Sequence, residues 1–167
     1  MNQPPNLLHP DEQSREPLGG STAPAGSSRF PARTVADPKL TRSFAIDAAR
    51  LCRDDKCTHV RLLDVRELSQ VTDYIVIASG TSERQMRSVL HHIDDLGKEA
   101  GFPAFRISTD QNADWLLADF VDVVVHLFEP DTRLHYDLET LWGDAERVEW
   151  EEPGGGPGAR SQEDTDG

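Results

Sequence analysis

The chain has 167 residues, of which 17 are Lys or Arg and 30 are Asp or Glu, giving a formal net charge of −13. Affinity for a polyanion rests largely on cations that neutralise phosphates, so direct DNA or RNA binding is disfavoured. With two cysteines and no apolar run near the roughly 18 residues of a membrane helix, neither a disulfide framework nor a membrane span is expected.

Residues 1–36 hold six of the 11 prolines and are neutral, and the Gly-rich residues 151–167 carry −4. Both ends are expected to be disordered tails, the second acidic, since neither can bury enough apolar area to offset chain entropy. The remaining stretch, 37–150, has 13 basic and 22 acidic residues, a net −9. Its length suits one domain. The N-terminus lacks a basic segment followed by an apolar one, so a cytoplasmic protein without an export signal is expected.

Asp37-Pro38 marks a helix start, because Asp can accept from free N–H groups of the first turn and Pro has none to leave unpaired. Leu40, Phe44, Ala48 and Leu51 then follow at helical spacing, which predicts a helix near 38–53. His59–Val65 and Asp73–Ser79 are short and rich in β-branched residues, and read as strands. The second is apolar on both faces from Tyr74 to Ala78, as in a covered sheet. Ser82-Glu83-Arg84-Gln85 fits a capping box, with the Gln side chain reaching back to the Ser N–H. Met86, Val89, Leu90, Ile93, Leu96, Gly97 and Ala100 form one helical stripe, ended by Gly101. Pro103–Ser108, Asp114–Phe120 and Asp122–Phe128 read as three strands, the last two joined by a tight antiparallel hairpin. Glu129-Pro130-Asp131 opens a final helix with Leu134, Leu138, Leu141 and Ala145 on one face. The order α-β-β-α-β-β-β-α predicts a single α/β domain, a mixed sheet of about five strands flanked by helices.

Motifs for catalysis are weak. Ser79-Gly80-Thr81-Ser82, between a strand and a helix, offers free N–H groups and a helix dipole to an anion, but lacks the Lys and second Gly of phosphate-binding fingerprints. Paired carboxylates on a strand would suit two metals. Asp119 and Asp122, however, are three apart, point to opposite faces in extended chain, and Asp122 falls in the hairpin turn. A nucleotidyltransferase-like enzyme using the Ser79–Ser82 turn and Asp119 is the alternative to a binding protein. His9, His59, His91, His92, His126 and His135 make no ligand set by spacing, nor do Cys52 and Cys57, so no metal or cofactor is expected. For recognition, Trp115, Leu117 and Asp119 share one strand face, the composition of an interface centre; packing in the core is the competing account of Trp115. Tyr136 and Trp142 share that ambiguity.

The run Thr72–Gln85, the strands Asp114–Phe120 and Asp122–Phe128, Arg133–Tyr136, and Leu138-Glu139-Thr140-Leu141-Trp142-Gly143-Asp144-Ala145 together resemble the ribosomal silencing factor family, RsfS or Iojap, over about residues 38–146. The resemblance implies a non-catalytic, nucleotidyltransferase-related fold that needs no cofactor. It also implies binding to the large ribosomal subunit through its ribosomal protein L-fourteen, steric exclusion of the small subunit, and repression of translation when nutrients are scarce. Homodimers off the ribosome are implied too. In that setting Trp115 is the anchor, Leu117 and Asp119 lie beside it, Asp114 pairs with a partner cation, and Arg133 and Tyr136 complete or support the surface. The −9 of the domain suits a basic partner. Two positions depart from the family: Val121 replaces a hairpin Gly, and Ser108-Thr109-Asp110 replaces a Glu-Gly pair. A β-branched residue is strained at positive φ, so a different turn is expected at Val121.

Overall fold

In the computed structural model, residues 36–108 and 113–151 are described. Nearly all of the predicted tails, and Thr109 and Asp110 of the second departure, lie outside them. Ten elements follow in order: α1 Pro38–Asp54, β1 Thr58–Asp64, β2 Tyr74–Ser79, α2 Glu83–Ala100, β3 Arg106–Ile107, β4 Trp115–Asp119, β5 Val123–Phe128, α3 Pro130–Tyr136, α4 Leu138–Leu141 and β6 Glu146–Arg147. The sheet runs β3-β4-β5-β2-β1-β6. Only β2 and β5 pair in parallel, with Tyr74 opposite Val123 and Ser79 opposite Phe128; the other pairs are antiparallel.

The predicted mixed α/β sheet is therefore present, with a sixth strand. Beyond α4 the chain turns back along the sheet edge, pairing Leu63 with Arg147 and Asp64 with Glu146. This strand buries Val148 and Trp150 just past it. Two charged residues on an edge show no alternation from which a strand is read.

Helix α1 is capped as expected: the Asp37 carboxylate accepts from the Lys39 N–H at 2.9 Å. Its buried face is rotated from the predicted one, consisting of Thr41, Phe44, Ala45, Ala48, Ala49 and Cys52. Leu40 is exposed and Leu51 half-buried. Small residues let α1 lie close to the sheet, so alanines rather than the two leucines fill the contact. Helix α2 buries Met86, Val89, Leu90, Ile93 and Gly97, while Ala100 is exposed. Gly101, at φ 82°, ends it with a left-handed residue. Gly97 is required by close approach, since a Cβ there would stand 2.5 Å from the Phe120 ring and 2.6 Å from the Phe102 carbonyl oxygen.

Helices α1 and α2 cover one sheet face, in a cluster that includes Phe44, Val76, Leu116, Ala118, Phe120, Val125 and Leu127. Phe44 stacks on Phe102 at 4.8 Å and meets Phe120 edge-on at 5.0 Å. Leu63, Val65, Ile75, Ile77 and Phe128 form a second cluster on the opposite face, packed against Trp115, Tyr136, Leu138, Trp142 and Ala145. With both faces covered, every residue of β2 is buried.

The single last helix of the sequence reading is corrected to two short ones. Asp137 takes φ 44°, a left-handed conformation that Asp tolerates better than most residues, and its carboxylate accepts from the Thr140 N–H to start α4. The break removes the shared face: Leu134 and Leu141 are exposed, whereas Leu138 and Ala145 pack inward.

Candidate functional site

Strand β4 alternates as its sequence requires. Leu116, Ala118 and Phe120 point into the helix-covered core, and Trp115, Leu117 and Asp119 are half-buried on the other face. Register places Phe128, His126 and Val124 of β5 directly beside those three residues. The result is a two-stranded strip with aromatic rings at one end and a carboxylate at the other.

The aromatic end is ordered by its own contacts. Trp115 lies 4.9 Å from Phe128, with rings inclined by 25°, and 4.7 Å from Tyr136. Its indole Nε1–H donates to His126 Nδ1 at 3.2 Å. Only a neutral imidazole has a ring nitrogen free to accept, and burial pushes the His126 pKa down to about 4. The strip therefore holds no cation at neutral pH. Trp115 packs on the second cluster, as the core account expects, and keeps part of its surface exposed.

The other sequence-predicted residues take distinct places. Asp119 accepts from the Val121 N–H at 2.8 Å and so braces the hairpin. Asp114 accepts from the Thr132 hydroxyl at 2.8 Å, tying β4 to α3. Tyr136 belongs to the aromatic group, and Trp142 packs on the second cluster. Arg133 lies under the surface rather than on it: it is buried, donates to the Ser79 hydroxyl at 2.9 Å, and pairs with Glu139. The sequence reading missed His126, whose position opposite Leu117 depends on hairpin register.

The hairpin corrects a second expectation. Val121 does adopt positive φ, 72°. Phe120 donates to the Val123 carbonyl at 2.9 Å, which leaves Val121 and Asp122 as the two loop residues. Asp122 N–H donates back to the Phe120 carbonyl at 2.9 Å, so Val121 is the centre of a γ-turn at positive φ, the strained form of that turn. Tertiary packing holds Val in a strained conformation there.

The Ser79–Ser82 turn is occupied by internal partners. Gly80 N–H donates to the Phe128 carbonyl at 2.8 Å, Thr81 N–H to Gln85 Oε1 at 2.7 Å, and Gln85 N–H to Ser82 Oγ at 3.2 Å. Gln85 thus reaches back to Thr81, one residue beyond the Ser82 predicted. Arg133 engages Ser79 from within, and among the described residues no group of three His, Cys, Asp or Glu is placed to hold a metal ion. Asp119 and Asp122, at a strand end and in the turn, do not form a pair of metal-binding strand carboxylates. No described helix is long and apolar enough to cross a membrane.

A family model described as ribosomal silencing factor during starvation, RsfS, matches residues 38–166. The chain belongs to the RsfS family. The match extends past residue 146, where the resemblance in the sequence ends. The ribosomal silencing factor RsfS of Halalkalibacterium halodurans is 39% identical over 98 residues, covering 59% of this chain and 84% of that protein. The mouse protein named mitochondrial assembly of ribosomal large subunit protein 1 is 35% identical over 122 residues, 66% of this chain and 54% of its own. A crystal structure of a Chromobacterium violaceum protein aligns with TM-score 0.58 at 28% identity, covering 73% of this chain and 98% of that one. Family membership makes the chain a ribosomal silencing factor that regulates translation.

Proposed function

We propose that this silencing factor binds the large ribosomal subunit through ribosomal protein L-fourteen, and that its bulk then keeps the small subunit from joining, lowering translation when nutrients are scarce. The docking face is the β4–β5 strip, with Trp115 as anchor, Leu117 and Asp119 beside it, Tyr136 holding the indole, Asp114 at the strand start, and Arg133 supporting from beneath. The observation that carries this reading is the half-buried strip itself, an aromatic and aliphatic surface ending in a carboxylate on a domain of net −9. Anchors of this type supply most interface energy when their surroundings exclude water. A basic protein surface attracts such a domain, while exposed rRNA repels it, so charge selects the partner by both signs. The name of the mouse relative points to the same subunit.

The protein acts without catalysis or cofactor, in the cytoplasm, as a domain spanning 37–150 with tails on either side. Off the ribosome the same strip joins two copies, so dimer formation and subunit binding compete. Pelleting with isolated large subunits tests the site. Trp115→Ala should weaken binding by at least ~2 kcal/mol, about 30-fold, and Leu117→Ala by ~1 kcal/mol or more. Urea unfolding of both variants separates lost contact from lost fold. Unchanged pelleting of folded variants would remove the strip as the docking face. A dimer that pellets intact with the subunit would end the competition model.

A further inference from the structure

The C-terminus of α1 brings two thiols together. Lys56, at φ 68°, is the left-handed residue that closes the helix. Its N–H donates to the Arg53 carbonyl at 3.0 Å, and the Cys57 N–H donates to the Cys52 carbonyl at 2.9 Å. These are the two bonds of a Schellman motif, which sets the residue after the left-handed one against the residue five before it, side chain to side chain. In most proteins that contact is between two apolar groups. Here it is Cys52 against Cys57, and they are the only cysteines in the chain.

Their surroundings differ. Cys52 is wholly buried, while Cys57 keeps 7% of its surface. Gln85 Nε2 lies 4.0 Å from Cys57 Sγ, held there by donating to the Asp55 carbonyl at 2.8 Å. The neighbouring Cys57 sulfur and then burial push the Cys52 thiol up, whereas Cys52 lowers the pKa of Cys57 against the upward push of its burial. A buried cysteine that only fills space has its thiol pushed up; one supplied with donors and an opening is the more reactive kind.

We propose that Cys52 and Cys57 are a modification site for hydroperoxides, a dithiol that closes to an intramolecular disulfide and is reopened by thiol reductants. The Cys57 thiolate attacks one peroxide oxygen, the O–O bond breaks, and the departing hydroxide takes a proton to become water, leaving a sulfenic acid. Cys52 Sγ then attacks Cys57 Sγ, and the displaced hydroxide leaves as water with the Cys52 proton. Two thiols and one hydrogen peroxide give one disulfide and two waters; a dithiol reductant restores both thiols and is itself oxidised to its disulfide.

The test uses the full chain, reduced, exposed to hydrogen peroxide beside glutathione as an internal standard, and quenched with alkylating reagent in denaturant. The thiol count should fall from two to zero and return to two with dithiothreitol. Arg53 and Lys56 lie between the cysteines, so trypsin should release residues 51–53 joined to residues 57–61, a pair that reduction separates. In Cys52→Ser, dimedone should trap a sulfenic acid on Cys57 at a rate within about threefold of wild-type thiol loss. In Cys57→Ser, loss of the remaining thiol should slow at least tenfold. Two thiols persisting in the wild-type chain after glutathione is oxidised would overturn the proposal, as would a disulfide between chains. Sulfenic acid trapped on Cys52 instead would overturn the order of attack.

Discussion

Lowering the pH from 8 to 5 should destabilise this protein through His126. The folded-state pKa is about 4 and the ordinary imidazole value 6.5. Between those values the unfolded chain binds a proton that the folded protein excludes, so stability is fully present above pH 6.5 and is lost as pH falls toward 4. For these two values, linkage gives a loss of ~2 kcal/mol on going from pH 8 to pH 5. The structural cause is specific: protonation removes the Nδ1 lone pair that accepts from Trp115 and places a charge beside the Trp115 and Phe128 rings. Urea midpoints measured across this range for the wild type and His126→Gln should diverge as the pH falls, the wild type losing stability that the variant keeps, because Gln can accept the indole hydrogen bond without titrating. Parallel curves for the two proteins, or an NMR titration placing His126 near 6.5, would refute the reasoning.

Three further outcomes follow from backbone and packing. Val121→Gly should raise stability by ~1 kcal/mol, read as a higher urea midpoint at unchanged m-value. Relief of ~1–3 kcal/mol of strain at φ 72° exceeds the added flexibility of Gly in the unfolded chain, about 0.5–1 kcal/mol. Gly97→Ala should destabilise by at least ~1 kcal/mol in the same assay, although Ala usually gains about that much in a helix; one of the atoms it meets is a backbone oxygen that cannot swing aside. Arg133→Ala should cost ~2–3 kcal/mol in thermal or urea unfolding, since it leaves Glu139 and the Ser79 hydroxyl without their common donor.

The sequence carried much of this architecture because its signals were local. Asp37-Pro38, the Ser82 cap on the Gln85 N–H, the stripe from Met86 to Gly97 and the alternation along β4 each reflect interactions within a few residues, and all stand in the structure. That alternation also put Trp115, Leu117 and Asp119 on one face, as found, and the family resemblance added the partner proposed for it. The sequence fell short where a residue's role depends on what approaches it. Leu40 and Leu51 look like core by spacing, yet α1 needs its alanines against the sheet. Val121 is a poor choice for positive φ in isolation, and the two strands it joins impose that geometry through the Phe120 and Val123 pairing.

The sequence by itself determined fold class, the order of the main elements and family membership, because periodicity, caps and motif spacing are properties of the chain read in order. Tertiary structure alone decided the rest. It broke the last helix at Asp137, added β6 to the sheet edge, drew Arg133 beneath Ser79, and set His126 beside Trp115. Those outcomes depend on contacts between distant segments, where burial and register, rather than local preference, set the conformation and the protonation state of each group.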